Sequence, residues 1–444
     1  MPPQLALILT LILIFLLVRI EHERAKLSGS SVWIIAAWML HSASRGLGYY
    51  LNIQTTIETG SPPDRYFLLF LAALCIFIII KRHPPIKSFL TNNWTFSFIF
   101  LYMLISIIWA NSPGITFRRW GRELIVILMS FLLLTENSPI SVIFSAIKRF
   151  IYAAFPLSIL LIKYFPSYGR QYGRWTGEVT WVGIAGQKNG LAMLCVFSLI
   201  FLLWSLWRDI KLWHRLQSRL PFLIDLIMTV IAIYLMIGPQ RTLTYSATSF
   251  LALITGLIFM ITLSLAIKKD IKLTRKLVII GIAIIIVGTI MPFSGNIPIK
   301  KLPNLLNRSE TLTDRTEIWN ILLPYAKKKI ILGHGYGGFW TTTLREEIAS
   351  HAHNGYLETV LNLGLVGLLL FSIFLIKTIS MLATAIYENR FEYIPFLSII
   401  FMYLVHNIAE ATLGDFQSSI GAIIVLASFL VANKSIIENN KYNI

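Results

Sequence analysis

Long apolar stretches alternate with short polar connections from one end of the chain to the other. A bilayer crossing takes about 20 mostly apolar residues, and about thirteen runs approach that length. They are Leu5–Ile20, Val32–Leu51, Tyr66–Ile80, Trp94–Ala110, Leu124–Leu134, Ile140–Ile162, Leu191–Trp207, Phe222–Ile237, Phe250–Ile267, Leu277–Met291, Leu357–Ile376, Ile394–Ile408 and Ile420–Val431. The pattern predicts an all-α polytopic integral membrane protein, a single transmembrane domain over residues 1–444 with about 12–13 spanning helices. One long polar interval, residues 294–352, precedes the last three runs and is expected to carry short amphipathic helices.

Composition agrees, with 56% hydrophobic and 14% charged residues, more apolar side chains than a soluble core of this size uses. The first run lacks a basic segment before it and is followed by Arg19, Arg24 and Lys26 instead of a small-residue cleavage site, so it reads as a retained helix. A formal net charge of +18 is explained first by cytoplasmic Lys and Arg, not by nucleic acid. Basic clusters follow alternate runs: Arg19/Arg24/Lys26, Lys81/Arg82/Lys87, Arg208/Lys211/Arg215/Arg219, Lys268/Lys269/Lys272/Arg275, and Lys377 with Arg390. Placing all of them inside sets the amino terminus outside, the carboxyl terminus inside and the 294–352 interval on the outer face. Cys75 and Cys195 fall inside apolar runs and read as core packing.

Basic residues on the outer face then need another reason. Four groups qualify: Arg118-Arg119-Trp120 with Arg122; Arg170, Arg174 and Lys188; Arg241; and Arg308, Arg315 and Lys327-Lys328-Lys329. Each has a bland reading, an arginine stem lying along lipid with its head among the headgroups. Lys188 opens a helix, against the macrodipole, which makes sense where an anion sits beside it. Asp314-Arg315-Thr316-Glu317 has the spacing of a capping box with Asp314 as N-cap. Ile318, Ile321, Leu322 and Tyr325 would form the apolar side of the short helix that follows. Arg315 would stand at its first turn, beside unpaired backbone amides, an arrangement suited to phosphate. Gly333-His334-Gly335-Tyr336-Gly337-Gly338 is too glycine-rich for a helix and lacks the Lys-Ser/Thr of a phosphate loop; it reads as a hinge-like turn.

His353-Asn354 stands where the polar interval enters an apolar run, and a helix beginning near 353 would put His353, Val360, Gly364 and Gly367 on one face. Small residues there would let another helix approach. His351 would lie outside the first turn. Two histidines one residue apart could suggest a metal, but the sequence places no Cys, second His pair or carboxylate cluster with ligand spacing nearby, so no metal is expected. His406-Asn407 repeats the dipeptide without a following Gly-x-x-Gly.

His353-Asn354, nine residues and then Gly364-x-x-Gly367 resembles the signature of the bacterial O-antigen ligase and O-antigen polymerase superfamily of membrane glycosyltransferases, which includes exopolysaccharide polymerases. Thr311–Trp319 is similar to that superfamily's loop segment. Arg241 matches the arginine of its Ser-x-Ser-Arg segment with both serines absent, and Gln187-Lys188-Asn189 matches a His-Lys-Asn segment with the His replaced. The resemblance implies a GT-C-like fold in the bacterial inner membrane, with its active site on the periplasmic face. The reaction implied is metal-independent inverting transfer of a glycan from undecaprenyl diphosphate to an acceptor hydroxyl, with no cofactor.

The acceptor would be lipid A core in a ligase, a growing polysaccharide in a polymerase, or a protein serine in an O-oligosaccharyltransferase. His353 would be the catalytic base, because imidazole titrates near neutrality. Arg241, Arg315 and Lys188 would bind the donor diphosphate, with Asn354, Arg174 and Arg118 as candidate supporting residues. The competing class is a flippase for the same lipid-linked sugar. A transporter would be expected to carry ionisable residues at mid-membrane and matched halves.

Overall fold

The computed structural model describes the chain except residues 28, 54–59, 173–178, 216–217, 239–245, 267–271, 295–312 and 437–444. Its helices run in the order α1 (Pro3–Ala25), α2 (Ser31–Ala43), α3 (Pro62–Arg82), α4 (Ile86–Asn92), α5 (Trp94–Ile105), α6 (Pro113–Leu134), α7 (Pro139–Tyr164) and α8 (Lys188–Lys211). The order continues with α9 (Leu220–Ile237), α10 (Ala247–Ala266), α11 (Lys272–Ile290), α12 (Thr313–Lys328), α13 (Thr342–Glu347), α14 (Gly355–Tyr387), α15 (Ile394–His406) and α16 (Ser419–Ala432). Among the described residues, 8 helices are long and apolar enough to cross a membrane, α4 and α5 with the turn after it form a bent pair at 93°, and three apolar helices are shorter. The protein is therefore an all-α multi-pass membrane protein, and every apolar run predicted from the sequence overlaps a helix, though Leu124–Leu134 falls in α6, which is not among those long and apolar enough to cross. The run Val32–Leu51 is not one continuous helix, however. α2 stops at Ala43, Gly46 takes a φ of +85°, and Arg45 turns to donate its amide to Ile184 O at 3.0 Å. Where the sequence was read as loop, Arg170–Tyr172 and Val179–Trp181 pair as a short antiparallel ribbon.

Two ionic clusters mark opposite ends of α8. At its carboxyl end, Asp209 accepts from Arg24 of α1 at 2.6 Å. Asp225 of α9, fully buried, takes Lys148 and Tyr152 of α7 at 2.5 Å each and Ser205 of α8 at 2.9 Å. Glu21 of α1 accepts from Arg149 of α7 at 2.6 Å. Ends of α1, α8 and α9 thus meet on one side, as the alternation of basic clusters requires. Asn189, in the first turn of α8, contacts a carboxylate at the other end. Between Asn189 and Asp209 the helix rises about 30 Å at 1.5 Å per residue, the thickness of a hydrocarbon core. Removing one member of a buried ion pair strands the other charge at about 3–5 kcal/mol. Asp225→Ala is accordingly expected to lower stability by about that amount, read as loss of the thermal transition of the detergent-purified protein. An unchanged transition would make the cluster decorative.

α14 is broken inside. Gly364 has φ +67°, a conformation open to glycine, and a Cβ there would lie 2.1 Å from Ile331 O. The backbone groups freed at the break are met by the incoming segment 330–334. Leu365 N donates to Ile330 O at 2.8 Å, Val366 N to Ile331 O at 3.2 Å, and His334 N to Leu361 O at 2.9 Å, while Tyr102 Oη donates to Leu363 O at 3.0 Å. This overturns the single-face reading. His353 lies before the helix, and Gly364 takes a positive-φ, non-helical turn that opens the ladder to the 330–334 segment.

Candidate functional site

The site is built where the loop before α14, the connection between α15 and α16, and the first turn of α12 meet near the first turn of α8. Asn354 is the N-cap of α14, its side chain accepting from Leu357 N at 2.8 Å, as Asn does at a helix start. Its amide also donates to Gly288 O at 3.2 Å and Ile408 O at 3.0 Å. The second His-Asn pair closes the same junction, because Gly355 N donates to Asn407 O at 2.8 Å. A Cβ on Gly355 would lie 2.1 Å from the Asn407 side chain. Asn354 is therefore a structural cap, fully buried, and the repeated dipeptide is one half of a helix-to-helix contact. Glu358, one turn into α14, reaches back to hold the loop: it accepts from Ala352 N at 2.9 Å and from Trp340 Nε1 at 2.6 Å.

Held on both sides, His353 adopts φ +49°, a left-handed backbone uncommon for a residue with a side chain. Its amide donates to His351 Nδ1 at 3.2 Å, and the two rings lie 4.0 Å apart. That assigns the proton of a neutral His351 to Nε2. The His353 side chain keeps 25% of its surface exposed, so it is reachable from outside.

Glu410, in the connection between α15 and α16, joins the parts. Its Oε1 accepts from Asn189 at 2.8 Å and from Arg315 at 3.2 Å, and its Oε2 lies 3.8 Å from His353 Nδ1. Glu410 thus lies beside the first turn of α8, held there through Asn189. Burial raises the Glu410 carboxyl above its ordinary value, offset by Arg315 and Asn189. Burial, then the fields of His351 and Arg315, hold the His353 imidazole down to about 3. The 3.8 Å gap exceeds hydrogen-bond length, so the His353 ring and the Glu410 carboxyl face each other without a hydrogen bond. His353 Nδ1 is buried with no hydrogen-bond partner among the described residues.

Arg315 stands in the first turn of α12, half-buried, as the sequence predicts. α12 itself begins at Thr313, so Asp314 lies within the helix and not at its N-cap. Its inner side is Trp319, Leu322 and Ala326, while Ile321 and Tyr325 are exposed. The side predicted from spacing is therefore displaced, because Trp319 turns in to donate to Ala352 O at 2.8 Å. Lys188, the first residue of α8, adjoins Asn189. Arg118 is exposed on α6, whereas its neighbour Arg119 turns inward to Gly337 O. Arg241, Arg174 and Arg308 lie outside the described residues. His334, without an identifiable partner in the sequence, sits between Asn111 Nδ2 at 3.0 Å and Tyr325 O at 3.2 Å, a packing role in the glycine turn.

Sequence spacing hides Glu410 from His353, and the fold brings a carboxylate to the two histidines after all. Ligand atoms of His351, His353 and Glu410 lie within 4.8 Å of one another, close enough for a cation to bridge. The guanidinium of Arg315 already faces the same carboxylate, and a divalent ion would have to share it against that fixed positive charge.

Residues 241–372, which include all of α12, the His353 loop and the break in α14, match the O-Antigen ligase family. The chain is also similar to the exopolysaccharide production protein ExoQ of Rhizobium meliloti (strain 1021), 22% identical over 321 residues covering 67% of each chain. Together the two matches support a likeness of this chain to the O-antigen ligase and polymerase superfamily.

Proposed function

We propose that the chain transfers an undecaprenyl-diphosphate-linked glycan to an acceptor hydroxyl on the periplasmic face of the bacterial inner membrane, with inversion and without a metal. What supports the reading above all is that Arg315 and His353, from segments far apart in sequence, share one carboxylate beside the first turn of α8. Guanidinium binds phosphate oxygens bidentately and keeps its charge, so Arg315 takes up the charge of the departing diphosphate, with Lys188 and Arg241 as further donor-side cations. His353 accepts the proton of the acceptor hydroxyl as its oxygen bonds to the anomeric carbon. The bond from that carbon to the diphosphate oxygen breaks on the opposite side, and undecaprenyl diphosphate leaves.

ExoQ is named for exopolysaccharide production, which favours a growing polysaccharide as the acceptor, whereas the matched family is described as O-antigen ligase. Purified protein incubated with a lipid-linked repeat unit, with and without lipid A core, separates the two by product size. A ladder from the repeat unit alone means polymerase, and a single addition to lipid A core means ligase. No product from either sinks the proposal. A chelator is expected to leave the rate unchanged; loss restored by a divalent ion would instead assign a cation to His351, His353 and Glu410.

The depressed imidazole makes a pH prediction. In the free protein His353 takes a proton only near pH 3, so its unprotonated form is present throughout the neutral range. Because kcat/KM reports free-enzyme groups, it is expected to show no acid limb from His353 between about pH 5 and 8. The limb of kcat should lie higher, since a bound diphosphate places negative charge beside the ring. A kcat/KM inflection at the ordinary histidine value would mean a solvated imidazole. For stability the sign is the same as for a buried neutral histidine: its contribution is present above the unfolded value of 6.5 and lost as pH falls toward about 3.

A further inference from the structure

Glu410 has no place in the transfer chemistry above, yet it is the residue on which the site converges. It is 8% exposed, and its two oxygens do different things. Oε1 is saturated by two N–H donors, from Asn189 and Arg315. Oε2 points toward His353 Nδ1, itself buried and without a hydrogen-bond partner among the described residues. An imidazole that is to take a proton on one nitrogen needs its other nitrogen to carry a proton and a partner for it. Of the groups facing Nδ1, Arg315 is a donor only, and the His351 ring already accepts the His353 amide through Nδ1. Oε2 of Glu410 is the acceptor within reach of a small ring movement, since 3.8 Å needs to close to about 2.8 Å.

We propose that Glu410 is the positioning residue of His353: it fixes the tautomer with the proton on Nδ1, leaving Nε2 to take the acceptor's proton, and Asn189 and Arg315 hold the carboxylate in that pose. The inference rests on the reading of His353 as the base. It also gives Arg315 a second task, because the cation that meets the donor phosphate is the one that orients the carboxylate. Substrate binding and imidazole orientation are thereby joined through a single side chain.

Glu410→Gln tests this with little change in shape. Asn189 and Arg315 would keep the amide oxygen, which turns the NH2 toward His353 Nδ1. A donor there forces the ring into the wrong tautomer, with its proton on Nε2. The expected result, in full-length purified protein assayed with the lipid-linked donor, is a kcat lower by roughly 10²–10⁴-fold with the donor KM within about threefold. In a His353→Ala background the same substitution should cost nothing further, because residues acting through one another are non-additive.

A kcat within about threefold of wild type in Glu410→Gln, beside an inactive His353→Ala, overturns the inference and leaves the base intact. Full activity in His353→Ala overturns the reading of the base instead. A loss confined to KM, or one that persists in the His353→Ala background, makes Glu410 a structural or donor-site group and also overturns the inference. Should Glu410→Gln not survive purification, Glu410→Asp carries the same comparison, with the charge kept one methylene short. Its kcat should lie between those of wild type and His353→Ala, and a value equal to wild type in kcat and KM overturns the proposal.

Discussion

His353→Ala is expected to lower transfer by roughly 10²–10⁴-fold, the usual contribution of a positioned general base, while the protein folds and inserts normally. The second half of that expectation comes from the loop. The backbone around residue 353 is held by Glu358 on Ala352 N and by the Asn354 cap, and neither contact uses the imidazole. The His353 side chain has a buried Nδ1 without a hydrogen-bond partner among the described residues, so its removal strands no donor or acceptor there. The variant should therefore melt at the wild-type temperature and bind the donor, and turnover alone should fail. Product sizing together with a thermal transition checks both halves. A variant that turns over at the wild-type rate removes the imidazole from the chemistry.

Arg315→Lys is expected to fall short of wild type by at least tenfold, and Arg315→Ala further still, by about 10²–10³-fold, the range found when one charge-stabilising donor is removed. Lysine keeps the charge but presents a point where the guanidinium presents a fork. It cannot reach Glu410 and a phosphate oxygen along two parallel directions. Arg315→Ala also leaves the buried carboxylate with Asn189 as its remaining donor among the contacts described here, and the loss should appear in donor KM as well as kcat. Steady-state rates across donor concentration separate these. If Lys restores the full rate, Arg315 acts as a simple charge and its geometry is immaterial.

The membrane fold was legible in the sequence because its signal is coarse: a run of about 20 apolar residues marks a crossing even where its helix is interrupted. Arg315 and His353 stood out for different reasons, Arg315 by the capping-box spacing around it inside the polar interval and His353 by its place where that interval enters an apolar run. Glu410 was not. It is a lone carboxylate in a short connection, and only the packing of the α15 end against the start of α14, through Gly355 and Asn407, carries it to the imidazole. The break at Gly364 escaped for a similar reason. A glycine inside an apolar run gives no local sign that segment 330–334 will use the opened backbone, so a helical projection through it is the natural and mistaken reading. The displaced face of α12 follows from one indole hydrogen bond to a carbonyl 33 residues on, which periodicity cannot encode.

Fastened by Arg24 and the Asp225 cluster at one end and by Glu410 at the other, α8 has little freedom to tilt or slide. A carrier that exposes its cargo first to one compartment and then to the other works by rocking such elements against their neighbours, and here each swing would have to separate an ion pair at one end of the helix and the Asn189–Glu410 hydrogen bond at the other. The mechanical character of this helix is that of a strut, suited to keeping reactants in register and ill suited to passing them across.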